Sequence, residues 1–291
     1  MLLNLDNEID KKFSEIYPEE IIRNATKDNL EYLGMNISEA DDNDIQLKIY
    51  YDNKPSRELY RTLGDSEPLI DFLYKKNMIS GLEIVHDKKN TRCTRYNIKL
   101  KYRNKNNMLE LFSWMEDNIK FFTKYKNEIL KFSEFKYSED EDAQYASLFF
   151  MGVEKQENDI SILKLYWIKH PEYAKDYIES LENCDIPQLK ELLPTTFQAV
   201  ENCGGNFLMT GINYNSEISE KHKYYIEYPT NLYEGLVKTF PENKELIRKV
   251  NIIREWHDIH PEYFCDGFAI GKNSQNQIVL KFYFMFKNET K

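Results

Sequence analysis

Leu163-Lys164-Leu165-Tyr166 alternates apolar and polar side chains with the two-residue period of a β-strand, so Lys164 and Tyr166 share one face and the leucines the other. Four other stretches repeat the pattern: Leu47-Lys48-Ile49-Tyr50, Ile98-Lys99-Leu100-Lys101, His222-Lys223-Tyr224-Tyr225 and Leu280-Lys281-Phe282-Tyr283. Taken in chain order, the five lysines stand 51, 65, 59 and 58 residues apart. Spacing this even points to one structural unit used five times. Five such strands in one sheet gather lysines and phenols on a common surface.

Each copy falls at the same place in a longer unit: a strand, a turn, the Lys-x-Tyr strand, then a helix. Leading strands are predicted at 80–88, 147–155, 206–214 and 266–274, with turns through Asn158-Asp159 and Gln275-Asn276. Helices are predicted over 11–33, from Pro55 toward Tyr74, from Asn107 to about Phe132, from His170-Pro171 onward, and from Pro229-Thr230-Asn231 to about Phe240. Gly152, Gly211 and Gly271 stand in leading strands, where glycine marks a bend or a close approach. A unit of about 60 residues exceeds the period of common solenoids, so closure is expected rather than an open stack. The expected class is α/β: ten antiparallel strands closed into a wide barrel without free edges, helices outside. No linker or shift of composition divides the chain, so residues 1–291 read as a single domain.

Composition narrows the partners. Aromatic residues make up 14%, with 21 Tyr and 17 Phe, which favours β structure. A net charge of -10 gives no general attraction to nucleic acid or anionic lipid, so neither is an expected partner. A phosphorylated ligand would then need a local cation cluster, and the repeated lysines are the candidates. The opening residues MLLNLDNEIDKK do not read as a secretory signal, and no run approaches the ~18–20 apolar residues of a membrane span. A cytoplasmic protein without a membrane anchor is expected. Cys93, Cys184, Cys203 and Cys265 form no CxxC pair and read as free thiols.

Alternating Lys and Leu also suits a solvated sheet face. Two features favour a lumenal face instead. Tyr partners the lysine in four of five copies, and each unit supplies a helix to cover the apolar side. A water-poor chamber lined by lysines and rings suits transfer of a prenyl group. Lysines neutralise a diphosphate. Tyrosine faces hold the allylic cation by about 0.5–2 kcal/mol each and exclude the water that would quench it. A carboxylate near the acceptor takes the proton. Mg²⁺ commonly bridges diphosphate oxygens through few protein ligands.

In these features the chain resembles the ABBA barrel of soluble aromatic prenyltransferases, in αββα repeats, and is similar in particular to the peptide prenyltransferases of cyanobactin pathways. The likeness runs from about residue 40 to the C-terminus. It is carried by Tyr96-Asn97-Ile98-Lys99-Leu100-Lys101-Tyr102, by Gly152 through Lys164 to Pro171-Glu172, by Leu208 and Thr210-Gly211 with Tyr224-Tyr225, and by Ile278 to Phe286. It implies an isoprenoid diphosphate donor (dimethylallyl or geranyl), Mg²⁺ as cofactor, and a modified-peptide acceptor. It assigns Lys48, Lys99, Lys164, Lys223 and Lys281 to the donor diphosphate. It assigns Tyr50, Tyr166, Tyr225 and Tyr283 to the shield around the allyl cation. Glu39 matches the acidic catalytic residue ahead of the first barrel strand, with Asp41, Asp42 and Asp44 as competitors. The chain departs from the family where Arg is usual on the first strand, offering Gln46 or Lys48, and where His is usual in the third unit, offering Tyr166. A small-molecule aromatic prenyltransferase and a non-catalytic ligand-binding barrel are the alternatives.

Other motifs carry less. His257 and His260 are one helical turn apart without an evident third ligand, and read as solvated histidines at a helix end. His170-Pro171-Glu172-Tyr173 recurs as His260-Pro261-Glu262-Tyr263, which reads as helix-start chemistry. Cys203-Gly204-Gly205-Asn206 lacks the Lys-Ser/Thr of a phosphate loop and reads as a tight connector.

Overall fold

The computed structural model describes residues 7–16, 30–40, 45–52, 68–76, 79–86, 92–98, 105–133, 148–156, 159–168, 187–215, 222–273 and 275–287. The strands are β1 Leu30–Ser38, β2 Gln46–Asp52, β3 Ile79–His86, β4 Arg92–Ile98, β5 Leu148–Gln156, β6 Asp159–Ile168, β7 Asn206–Asn215, β8 His222–Glu227, β9 Tyr263–Lys272 and β10 Ile278–Phe286. The helices are α1 Glu8–Ile16, α2 Pro68–Lys75, α3 Lys105–Asn118, α4 Phe122–Ser133, α5 Pro187–Cys203, α6 Leu232–Thr239 and α7 Lys244–Ile259. The strands pair antiparallel in the order β1-β10-β9-β8-β7-β6-β5-β4-β3-β2, and β2 pairs back onto β1.

Alternation along each strand sorts the two faces. Leu33, Met35 and Ile37 of β1, Leu163 and Leu165 of β6, Ile212 and Tyr214 of β7, and Leu280, Phe282 and Phe284 of β10 are buried in one apolar cluster. That cluster also takes in Phe13 of α1, Leu111 and Met115 of α3, Phe122 and Ile129 of α4, Leu192 and Ala199 of α5, and Val250, Ile253 and Trp256 of α7. Tyr125 of α4 lies 5.0 Å from the Tyr214 ring, and Trp256 of α7 lies 5.2 Å from the Phe284 ring. The apolar face of the sheet is therefore the outer one, covered by helices. Each large aliphatic or aromatic side chain buried there contributes about 1.5–3 kcal/mol.

Several sequence expectations change here. Residues 30–33 belong to a strand, not to the tail of a helix, because Leu33-Gly34-Met35-Asn36-Ile37 alternates with period two. The helix expected over 107–132 is two helices, broken at Ile119–Phe121, where Phe122 N–H turns back onto Ile119 O. Helix α5 lies in the stretch after His170-Pro171 where the repeat unit calls for a helix, and its bounds, Pro187–Cys203, are set by the structure. Its signal was present in Leu192, Thr196, Ala199 and Cys203, at helical spacing. The helix ends at Gly204, whose φ of +65° suits the left-handed residue after a helix. Gly204 and Gly205 N–H both bond Val200 O, so the tight connector is a helix stop. The helix starts expected near 55–58 and at 170–173 lie outside the described residues.

His260-Pro261-Glu262-Tyr263 does not start a helix. It turns the end of α7 into β9. His260 is buried, with Nε2 2.9 Å from Asp10 Oδ2 and Nδ1 3.1 Å from Glu262 Oε1. His257 is half-buried, donates through Nε2 to Tyr263 O at 3.2 Å, and accepts at Nδ1 from Tyr233 O–H at 2.9 Å. Its burial lowers its pKa. Both histidines are thus packing groups rather than solvated ones. Cys203 and Cys265 are free thiols, each pushed up to about 12 by burial and so poorly ionised. No helix among the described residues is long and apolar enough to cross a membrane.

Candidate active site

The inner face of the sheet carries the repeated lysines and tyrosines. Lys164 and Tyr166 of β6 alternate with core leucines, as do Lys223 and Tyr225 of β8 with Tyr224 and Ile226, and Lys281 and Tyr283 of β10 with core aromatics. Strand register brings them together. One row runs Tyr225, Ala269, Lys281, Asn36, Gln46 across β8, β9, β10, β1 and β2. Another runs Tyr166, Gly211, Lys223, Gly271 across β6 to β9. In these rows Gly211 of β7 and Ala269 and Gly271 of β9 stand between large side chains of the even-numbered strands, while β1 contributes Asn36.

Gly211 shows why that matters. A Cβ there would lie 2.7 Å from two carbons of the Tyr166 ring and 3.2 Å from the Tyr225 ring. Without it, the two rings meet edge to face with centroids 5.6 Å apart. Tyr225 lies 5.8 Å from Tyr283, and Lys281 Nζ lies 5.0 Å above the Tyr283 ring. Three rings from alternate strands and one ammonium thus form a continuous contact. Gly211→Ala is expected to part Tyr166 from Tyr225 and to cost about 1–3 kcal/mol of stability by overpacking. Near-ultraviolet circular dichroism and a thermal melt check this; an unchanged tyrosine signature would mean that the rings do not depend on Gly211.

Of the other expected residues, Lys48 and Lys164 are buried, and Lys48 pairs with Gly34 of β1, which pairs in turn with Tyr283. Lys164 stands between Gly152 and Asn213. Tyr50 lies on β2 opposite Glu83, its side chain outside the description. Lys99, Asp41, Asp42 and Asp44 lie outside the described residues. Glu39 sits just past the end of β1, where its N–H bonds Ile278 O at 3.0 Å and its Oε2 accepts from Asn243 Nδ2 at 2.6 Å. It is three residues from Asn36, about 10 Å along the strand direction, at the rim rather than among the rings.

Sequence reasoning missed Asn36, Asn213 and Glu227. Asn36 stands beside Lys281, buried, and its Nδ2 donates to Gln46 Oε1 at 3.3 Å. Glu227 follows Tyr225 on the inner face of β8, where burial and then the charge of Asp266 raise its pKa. Period-two reading of β1 and an extension of the β8 pattern by two residues were the available signals.

The architecture is that of ABBA-type aromatic prenyltransferases. NotF prenyltransferase superposes over 89% of this chain and 80% of its own, with a TM-score of 0.65 at 10% identity. AnaPT from Neosartorya fischeri gives 0.61 at 12% identity over 89% and 80%. 6-Dimethylallyltryptophan synthase from Micromonospora olivasterospora, in complex with DMASPP and Trp, gives 0.56 at 10% over 87% and 81%. At such identities the likeness is one of fold. No protein-family model matches the chain, and no curated protein is similar to it in sequence. The narrower resemblance to cyanobactin peptide enzymes has no counterpart among these structures.

The Mg²⁺ expectation is corrected. Among the described residues no three His, Cys, Asp or Glu side chains gather as a metal site. Among the described residues Lys48, Lys164, Lys223, Lys281 and Glu227 are charged residues of the inner face, and enzymes of this fold class are characteristically metal-independent.

Proposed function

We propose that this chain transfers an isoprenyl group, dimethylallyl or geranyl, from its diphosphate to an aromatic small molecule. The observation that carries the reading is the contact of Tyr166, Tyr225 and Tyr283 with the Lys281 ammonium over the last ring. A ring face that already holds one cation in a buried lumen is suited to hold an allylic one. Neighbours of the same fold carry Trp with DMASPP, or brevianamide F with DMSPP, which favours a small aromatic acceptor over a ribosomal peptide. A peptide side chain is the acceptor that the sequence resemblance alone supports.

In this reading Lys48, Lys99, Lys164, Lys223 and Lys281 receive the diphosphate as the allylic C–O bond breaks. Tyr50, Tyr166, Tyr225 and Tyr283 shield the cation from water. The acceptor's nucleophilic atom forms the new bond to the allylic carbon. Its displaced proton passes to the Glu39 carboxylate. The whole chain, 1–291, acts as one catalytic unit.

Mass spectrometry of Trp, Tyr, indole, simple phenols and short cyclic peptides, each incubated with dimethylallyl or geranyl diphosphate, tests the reading. A gain of one isoprenyl group identifies donor and acceptor together. No gain on any acceptor and no donor binding by calorimetry would sink it in favour of a ligand-binding barrel. Within it, Lys164→Ala should weaken donor binding by roughly 10–150-fold, the worth of one hydrogen bond to a charged group. Its thermal midpoint should move little. Donor affinity equal to the parent's would remove Lys164 from the pocket.

A further inference from the structure

Glu39 is held from three directions by residues that the reaction itself does not require. Lys249 of α7 is fully buried, and its Nζ donates to Ser38 O at 3.0 Å and Ala40 O at 2.8 Å, the carbonyls on either side of Glu39. The Glu39 N–H is tied to Ile278 O at 3.0 Å. The side chain is tied to Asn243, the residue that caps α7. Asn243 Oδ1 accepts the Leu246 N–H at 3.0 Å, and Nδ2 donates to Glu39 Oε2 at 2.6 Å. The amide cannot be turned round. Its oxygen must face the Leu246 N–H and its nitrogen the carboxylate, so cap and carboxylate fix each other.

We propose that Asn243 is the positioning residue for proton acceptance: its amide holds Oε2 of Glu39 and leaves Oε1 to take the acceptor's proton. The inference rests on the reading of Glu39 as the base. It makes the first turn of α7, outside the barrel, part of the catalytic arrangement. Lys249 adds the backbone half of the same clamp, with Glu245 3.8 Å from its ammonium.

Two substitutions separate positioning from folding. Asn243→Asp and Asn243→Ser both keep a good helix cap, and neither can donate to Glu39 as the amide does. Each is expected to lower kcat by roughly 10–100-fold, as for a misplaced general base. KM for dimethylallyl diphosphate and for the acceptor, and the circular dichroism spectrum, should stay at parental values. In a Glu39→Gln background the same substitutions should cause no further loss, since the base they position is already gone. Parental turnover in both single variants would overturn the proposal. So would losses that multiply with that of Glu39→Gln, because Asn243 would then act elsewhere. Parental turnover in Glu39→Gln alone would remove the base assignment, and this inference with it, while leaving prenyl transfer itself standing.

Discussion

Glu39→Gln is expected to lower turnover by about 10²–10⁴-fold, the usual contribution of a positioned general base. The replacement keeps the length of the side chain. Its amide oxygen can still accept from Asn243 Nδ2, which in the parent donates to Glu39 Oε2 at 2.6 Å. The Glu39 N–H to Ile278 O bond and the Lys249 contacts to Ser38 O and Ala40 O are made by backbone atoms and survive. What is lost is an oxygen able to hold a proton. Donor affinity should stay at the parental value, because the proposed function gives the diphosphate to the lysines and not to the rim. Single-turnover kinetics with saturating donor separates these effects. Unchanged turnover would place the base elsewhere, with Asp44 the next candidate from the acidic run.

Asp10→Ala is expected to cost about 3–5 kcal/mol, the range for removing one partner of a buried charged network. Asp10 is fully buried in α1. Its Oδ1 accepts from Trp256 Nε1 at 2.9 Å, and its Oδ2 lies 2.9 Å from His260 Nε2. Alanine leaves the Trp256 N–H and the His260 nitrogen buried without that partner, and frees α1 from α7. At roughly 2–4 °C per kcal/mol for a domain of this size, the melting midpoint should fall by about 10 °C. The node lies on the outer side of the sheet, where Trp256 packs on Phe284, whereas Tyr283 faces inward. Activity below the transition should therefore persist. A midpoint within a degree or two of the parent's would show that the network contributes little beyond packing.

The lumen was the most legible part of the molecule. Lys164, Tyr166, Tyr225, Lys281 and Tyr283 declare their face through the residues on either side of them, because alternation is a property of one strand. The same logic failed on β1, where a preceding helical pattern was carried too far and concealed Asn36. It gave no bounds for α5, because the repeat calls for a helix after each Lys-x-Tyr strand without fixing where that helix starts. The histidines were misread for a different reason. Two residues at a helix end look solvated until it is known that α1 packs across them, and that contact joins residues 250 apart in sequence.

Local pattern settled the Lys-x-Tyr strands, their two faces and the chemical character of the inner one, since side-chain periodicity and charge need only neighbours along the chain. Tertiary structure decided which lysine meets which ring, because strand register and the interposed glycines set those distances. It also decided how Glu39 is held. That carboxylate is gripped by an asparagine 204 residues away. A pairing of that kind arises only when a helix N-terminus and a strand end are brought to the same rim, and no local propensity encodes it.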